Sequence, residues 1–440
     1  MIFTQNIRRL HRYNVSTFRS SPLAEISGSL GDLGTLLPLL IALTISGSIK
    51  FPPSLVVGGL ANILTGVFFG VPLPVQPMKA IAAVALSRSF SVGETQAAGI
   101  FMGIAVGVLS LTGLLKWLAS VVPIPVVKGI QVGAGLSLIL SAGSSLLQPL
   151  GWTSPSWADN LLWALFAFVF LLFASMFPRT PYALLITVLG LVLGIILTAK
   201  ASPGGTGQIA PLPGFVSAPH AKDWKEGILY AGIGQLPLTV LNSIIAVSYL
   251  AAELLPEVPV PSTTHIGWSV ALINLIGPWF GAMPLCHGSG GLAAQYRFGA
   301  RSGASVIFLG VIKVILGLAA GDWLVNLLKR FPHALLGIMV VAAGLELTKV
   351  GESLNNTASD LWENAEVNEE DSGEGQKHFR EPDQEERRQR WAVMMMTVGG
   401  MLTFRNDAVG FIAGMLCHAT LNAPIWWRNR KAKRTGALRV

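Results

Sequence analysis

The chain has 440 residues, of which 52% are hydrophobic and only 12% are charged, and it carries a formal net charge of +8. Its mean hydropathy of +0.58 excludes an ordinary soluble protein. Apolar segments of roughly 15 to 22 residues recur along its length, as in helical membrane proteins. The positive charge is concentrated in the two ends, residues 1–22 and 428–440. Neither end has the fold or the interleaved aromatic residues of a nucleic-acid-binding protein, so we expect the lipid bilayer and no nucleic acid as partner.

The two basic ends predict how the chain is oriented. Positively charged segments stay on the cytosolic side, so both termini are expected there and the number of crossings is even. The first 20 residues lack the apolar stretch of a cleavable signal peptide, but they are basic and free of acidic residues, which also suits a transit peptide. The plasma membrane and a vacuolar or other organellar membrane therefore both stay open.

The apolar segments predict an all-α integral membrane protein with fourteen spans, seven in each half. The spans of the first half are 24–46, 53–70, 75–88, 95–117, 125–141, 158–177 and 181–198. Those of the second half are 225–248, 264–281, 287–298, 303–320, 333–350, 389–403 and 406–427. A loop rich in proline and glycine, residues 201–222, divides the halves. The polar segment 351–390 has almost no apolar content and is expected to be a disordered cytosolic insert.

The third span contains the most unusual stretch. Pro72 and Pro74 hold the chain extended, because proline fixes its own φ and disfavours a helical residue before it. A helix is predicted from Val75 onward, so this span is a half-helix that begins part-way across the bilayer. Such a start leaves backbone N–H groups and the positive end of the helix dipole unsatisfied, which is tolerated only beside a cavity or inside protein. An anion would satisfy both.

Three side chains of this half-helix are predicted to share one face. Gln76, Lys79 and Ala83 lie at positions i, i+3 and i+7, and offer a donor, a positive charge and room for a ligand. Pro77 is tolerated in the first turn, where its missing N–H would have no partner in any case.

The two halves of the chain repeat one another. The residues Asn62, Phe68, Pro72, Leu73 and Ala82 recur 212 positions later as Asn274, Phe280, Pro284, Leu285 and Ala294. A unit with an odd number of spans must enter the membrane from the opposite side when it is repeated, so the repeat is inverted. Interrupted segments at matching places in such halves indicate a binding site at the bilayer midplane. Here they are PLPVQPMK and PLCHGSGG.

The tenth span is the second predicted half-helix, and it opens with His287, Gly288, Ser289, Gly290 and Gly291. Glycines let successive N–H groups turn toward one centre, which forms an anion site without side-chain charge, and the serine hydroxyl could add a donor. Alternatively, the glycines only allow close helix packing. The histidine could donate to an anion or titrate, or could serve as a buried cap.

Three further polar residues have two interpretations each. Lys79 either contacts the substrate or neutralises a carboxylate, for which Asp32 is the candidate. Asp32 is accordingly either a proton carrier or an ion-pair partner. Gln235, at the matching place in the eighth span, either donates its amide to a bound oxygen or bonds a carbonyl.

Several other activities are excluded. The dipeptides Cys286-His287 and Cys417-His418 match no standard zinc spacing, so we expect no metal. The GSGG stretch lacks the strand and the acidic partner of a dinucleotide site, so no cofactor is expected. No nucleophile with a neighbouring base is readable, which argues against an enzyme.

Four blocks of the sequence resemble the molybdate transporter family, relatives of the sulfate permease superfamily that lack its cytosolic regulatory domain. They are ISGSLGDLGTLLPLLIALT, PVQPMKAIAA, GQLPLTVLNSIIAV and PLCHGSGGLAAQYRFGARSG. The similarity extends over nearly all of residues 22–427. Only about a dozen residues follow the last predicted span, too few for the regulatory domain of ordinary sulfate permeases, and this favours the molybdate branch.

The resemblance implies a seven-plus-seven inverted repeat with a mobile core and a gate scaffold. The core would comprise 23–118 and 223–322, and the gate 119–200 and 323–427. The family's motifs fall on Gln76, Pro77 and Lys79, and on the run from His287 to Gly291. The resemblance implies secondary-active transport of molybdate and a homodimer formed through the gate.

Two other classes of function stay open at this stage. One is a carrier of sulfate, another small anion or a nucleobase on the same architecture. The other is a membrane receptor that binds a ligand without transporting it.

Overall fold

The computed structural model describes residues 2–177, 180–201, 216–319, 322–356, 358–364 and 377–434, and these are mainly helical. The helices of the first half are α1 (Ile2–Ser20), α2 (Pro22–Ser29), α3 (Leu33–Ile45), α4 (Phe51–Phe69), α5 (Lys79–Arg88), α6 (Val92–Leu111), α7 (Leu114–Val121), α8 (Ile124–Ala142), α9 (Leu161–Met176) and α10 (Tyr182–Ala201). Those of the second half are α11 (Ala221–Glu226), α12 (Ile233–Leu238), α13 (Val247–Leu254), α14 (Thr263–Ile276), α15 (Ser289–Arg297), α16 (Ala304–Ala319), α17 (Asp322–Lys329), α18 (His333–Thr348), α19 (Gln384–Phe404) and α20 (Asp407–Arg434).

Shorter elements complete the described chain. The strands are β1 (Val75–Pro77), β2 (Leu285–His287), β3 (Trp362–Asn364) and β4 (Lys377–Phe379). The π-helical turns are Gly143–Leu147, Gly227–Gly232 and Thr239–Ala246, and the 3-10 turns are Gly277–Phe280, Lys349–Asn355 and Ser359–Leu361. The second and third π-helical turns flank α12, which contains Pro237. Because proline offers no N–H to the helix, the surrounding turns widen there.

The described helices do not by themselves fix the predicted number of fourteen spans. Within the described ranges, six helical stretches are long and apolar enough to cross a membrane. They are Phe51–Phe69, Val92–Leu111, Ile124–Leu147, Tyr182–Ala199, Ala221–Leu254 and His333–Asn355, and the shorter apolar helices are Leu161–Met176 and Ala304–Ala319. Other predicted spans are interrupted. The first is divided into α2 and α3, and the third and tenth each consist of a strand followed by a short helix.

Strands β1 and β2 pair in antiparallel register, and all their residues are buried. Each strand is also held by an asparagine of the helix before it. Asn62 Oδ1 accepts a hydrogen bond from Val75 N at 2.6 Å, and Asn274 Oδ1 accepts one from Leu285 N at 2.9 Å. Extended backbone away from water requires such partners, so the crossing is built to satisfy its own N–H and C=O groups.

Both short helices begin later than the sequence predicts. Helix α5 begins at Lys79 instead of Val75, because Met78 has extended backbone angles and donates its N–H to Pro284 O at 3.0 Å. Helix α15 begins at Ser289, two residues after the predicted start. Strand pairing therefore replaces the first predicted helical turn. Gln76 cannot share a helical face with Lys79, and Ala83, the third member of that predicted face, is exposed.

The predicted tail and insert are partly structured. The N-terminal segment forms α1, which contains Asn14. The Nδ2 atom of Asn14 donates to Gly66 O at 2.9 Å, and its Oδ1 atom accepts from Gly303 N at 2.9 Å. In the segment 351–390, the Arg390 guanidinium donates to both carboxylate oxygens of Asp360, at 2.5 and 2.9 Å. The described parts of that segment are therefore ordered, contrary to the prediction, because this ion pair anchors a segment of low apolar content. Most of the predicted loop 201–222, and residues 365–376 of the insert, lie outside the described residues.

Helices from opposite halves of the chain pack in close pairs, α4 with α16, α6 with α14 and α8 with α18. The first pair meets backbone to backbone. A Cβ atom added at Gly310 would lie 2.5 Å from Gly59 O, and one added at Gly303 would lie 2.3 Å from Gly66 O. Small residues allow this approach between membrane helices.

We predict that Gly310→Ala destabilises the protein by roughly 1–3 kcal/mol, because the added methyl group must push two backbones apart. The matched control is Gly143→Ala, since a Cβ there would meet no atom within 4 Å. The measurement is the midpoint of thermal denaturation of each purified variant, monitored by size-exclusion chromatography. Equal midpoints for the two variants would contradict the packing described.

Candidate functional site

The strand crossing brings the starts of α5 and α15 together. Val75 pairs with His287, Gln76 with Cys286 and Pro77 with Leu285, and each strand leads into a short helix after one connecting residue. Helix starts carry unpaired N–H groups and partial positive charge, which favours an anion nearby. Two of the sequence-predicted groups, Gln76 to Lys79 and His287 to Gly291, therefore lie side by side.

Lys79 stands at the first position of α5 and is half-buried. Its ammonium group makes no hydrogen bond or ion pair with the described part of the chain, including Asp32. The Cys286 thiol on β2 and the Asp407 carboxyl at the start of α20 are both within electrostatic reach of it. The lysine therefore lies near the strand crossing and near the start of α20.

Asp32 has a different lysine as its neighbour. Its carboxylate accepts a short hydrogen bond from Gln76 Nε2 and lies within electrostatic reach of Lys313 on α16. Lys313 is buried, and its Nζ donates to Val75 O at 3.3 Å. This lysine was missed in the sequence analysis. Its signal was a single charge inside the apolar helix Ala304–Ala319.

Glycines at the second helix start make room for Gln76. A Cβ at Gly288 would lie 2.3 Å from Gln76 Oε1, and one at Gly291 would lie 2.2 Å from Gln76 Nε2. A Cβ at Gly290 would meet Leu138 of α8 at 2.7 Å. The alternative of close packing, which the sequence left open, therefore applies to these glycines, and their N–H groups remain available as donors only where the helix geometry leaves them unpaired.

Gln235 lies at the other helix start. Its Oε1 accepts hydrogen bonds from Ala80 N at 2.9 Å and from Ile81 N at 3.3 Å, and its Nε2 donates to Thr239 Oγ1 at 2.9 Å. The side chain thus caps α5, which neither sequence interpretation anticipated. A side-chain oxygen here takes the place that an anion would occupy at the first N–H groups.

His287 and Ser289 are both buried and engaged. His287 Nε2 and Ser269 Oγ share a hydrogen bond of 3.0 Å, and Ser289 Oγ donates to Asn242 Oδ1 in a short hydrogen bond. Asn242 belongs to the π-helical turn that follows α12. The serine contact holds the start of α15 against the segment that follows α12, and the histidine contact holds β2 against α14.

Comparisons with known proteins identify relatives of this chain. Residues 24–138 and 227–347 match the family described as "Molybdate transporter of MFS superfamily". The chain is 34% identical to Molybdate transporter 1 of Arabidopsis thaliana over 456 aligned residues, covering 95% of this chain and 91% of that protein. It is 38% identical to Molybdate transporter 2 of the same organism over 379 residues, covering 76% and 80%. These relatives are named as transporters, and so is Molybdate transporter 1 of Chlamydomonas reinhardtii, at 31% identity.

Two solved structures share the fold at low sequence identity. The transmembrane domain of the cyanobacterium bicarbonate transporter BicA aligns with a TM-score of 0.53 at 15% identity, covering 89% of this chain and 96% of that one. The murine Slc26a9 anion transporter aligns with a TM-score of 0.54 at 13% identity, covering 92% and 68%. The fold is thus that of these anion transporters, although the family description mentions another superfamily. From the family match and the curated relatives, this chain belongs to the molybdate transporter family.

Proposed function

We propose that this membrane protein is a secondary-active transporter of molybdate, which binds the dianion where β1 and β2 cross. The observation that carries the proposal is the ammonium group of Lys79, which has no hydrogen-bond or ion-pair partner among the described residues and lies where two helix starts meet. An oxyanion there would receive the ammonium donor of Lys79 and any N–H donors that the start of α15 leaves unpaired, in a low-dielectric setting where charge-assisted hydrogen bonds are strong. The first N–H groups of α5 are already bonded to Gln235 Oε1. Of the residues predicted from the sequence, Lys79 is the one proposed to contact the anion directly. The others are proposed to build the site around it, namely Gln76, Pro77, Gln235, His287, Gly288, Ser289, Gly290 and Gly291.

The half-buried Lys79 differs from the two buried lysines, Lys128 and Lys313, in a way that supports this role. Lys128 forms a salt bridge with Glu253 and donates to Ser353 Oγ at 2.7 Å. Lys313 lies beside Asp32. Withdrawing a charge from water is costly unless it is paired. A half-buried lysine with no partner among the described residues therefore supports a position for an anionic ligand.

The arrangement of helices supports a seven-plus-seven inverted repeat. Val75 pairs with His287. His287 lies 212 positions later, so it occupies the position in the second repeat that Val75 occupies in the first. The pairs α4 with α16 and α14 with α6 are likewise equivalent under that shift. The family match also falls into two segments, one in each half. We propose that residues 23–118 and 223–322 move as a core against a gate made of 119–200 and 323–427, which gives alternating access.

The proposal extends to the orientation and the assembly of the protein. Both basic ends face the cytosol, and two copies associate through the gate. Impermeant labelling of cysteines introduced near each end of the chain tests the orientation, and cross-linking in native membranes tests the dimer.

Another anion is the second candidate substrate. The similar solved structures are of a bicarbonate transporter and an anion transporter, and sulfate resembles molybdate in charge and shape. Reconstitution into liposomes with radiolabelled molybdate and sulfate, with and without a proton gradient, tests both. Accumulation of molybdate supports the proposal, whereas accumulation of sulfate alone, or binding without accumulation, contradicts it.

We expect Lys79→Gln to lower molybdate uptake at least about tenfold, because a low-dielectric site loses its positive charge. The control is Lys349→Gln, which removes a charge from an exposed side chain paired with Glu346 at 3.3 Å. Uptake is normalised to the amount of correctly inserted protein. Unchanged uptake by the Lys79 variant would refute its role.

We also expect the effect on stability of replacing Lys313 to depend on whether Asp32 is present. Removing one charge of a buried pair costs about 3–5 kcal/mol, whereas removing both costs much less. Lys313→Met should therefore lower the yield and melting temperature of the protein, and the double variant Asp32→Asn with Lys313→Met should restore them in part. If the two single effects simply add in the double variant, the pair is not coupled.

A further inference from the structure

A carboxyl group that the sequence analysis did not single out faces the candidate site. Asp407 is the first residue of α20, and this helix packs against α12 and the π-helical turn after it. Helix α12 carries Gln235, which caps the start of α5. Helix α20 thus packs against the helix whose glutamine caps the start of α5.

Asp407 and Lys79 carry opposite charges, and within the described part of the chain neither side chain has a hydrogen-bond or ion-pair partner. The Oδ2 atom of Asp407 is shielded from solvent and has no hydrogen-bond partner among the described residues. Lys79 is the charged group within electrostatic reach of that carboxyl group, and the two are too far apart for a direct salt bridge. The two charges therefore interact through space without direct contact between the side chains.

Asp32 is occupied elsewhere. Its carboxylate bonds Gln76 and lies near Lys313, behind β1. Asp407, by contrast, has no hydrogen-bond partner at Oδ2 among the described residues and lies within electrostatic reach of Lys79.

We propose that Asp407 is the counter-charge of Lys79 in the empty site, and that it sets the affinity and the charge selectivity for the bound anion. This inference rests on the proposed function and adds a residue to it. An anion that binds at Lys79 is attracted by the ammonium group and repelled by the Asp407 carboxylate. Both interactions scale with the charge of the anion, so the carboxylate opposes a dianion twice as strongly as a monoanion.

Molybdate and perrhenate are suitable probes, because both are tetrahedral oxyanions but their charges are −2 and −1. We expect Asp407→Asn to lower the dissociation constant of the purified protein about tenfold for molybdate and about threefold for perrhenate, since the two free energies differ by the ratio of the charges. Asp407→Glu, which keeps the charge, should leave the ratio of the two constants near that of the unmodified protein. Glu257→Gln is the control, because Glu257 is exposed and its loss changes only the net charge.

The two anions separate this inference from a purely structural effect. A distortion of the site would weaken both anions or shift both by the same factor, and either result overturns the proposal. If Asp407→Asn does not fold, Asp407→Ser provides the same test, because serine suits the beginning of a helix. Failure of the unmodified protein to bind molybdate would instead overturn the proposed function.

Discussion

The antiparallel pairing of β1 with β2 is the interaction on which the rest of the structure depends. Extended backbone inside a membrane protein has no water to bond, and lipid offers no donors or acceptors. Each strand solves this by pairing with the other and with an asparagine of the preceding helix, Asn62 or Asn274. Because the strands are short, the helices that follow them begin at the same place in the interior. The positive ends of both helices are a consequence of this pairing.

The sequence predicts the position of this crossing well, because prolines and glycines restrict the backbone locally. Pro72 and Pro74 indicate an extended segment, and the 212-residue repeat indicates its counterpart around Pro284. The first turn of each helix was predicted wrongly, since strand pairing across more than 200 positions cannot be read from local propensity. The same limit explains why the sequence suggests Lys79, and not Lys313, as the lysine nearest to Asp32. Lys313 lies in an apolar helix far along the chain, and only the packing of α16 beside β1 brings it near.

The side chains around the helix starts divide into supporting and available groups. Gln235, Ser289 and His287 all have hydrogen-bond partners that hold the elements in place. Lys79 has none in the described chain, and the Asp407 carboxyl lies within electrostatic reach of it. Sequence patterns identified nearly all of these residues as polar groups in apolar surroundings. They could not separate the supporting groups from the available one, because that distinction depends on which partners each side chain finds in three dimensions.

The pairing of Val75 with His287 also has a consequence for how the protein is made. The first half emerges from the ribosome while its counterpart has not yet been synthesised, and the missing partner strand is 212 residues away. At ordinary elongation rates of about 5–20 residues per second, this interval lasts roughly 10 to 40 seconds. During that time β1 and the glycine face of α4 must be sheltered by translocation machinery or by temporary contacts. The nascent chain therefore cannot complete its interior until most of both halves has been inserted.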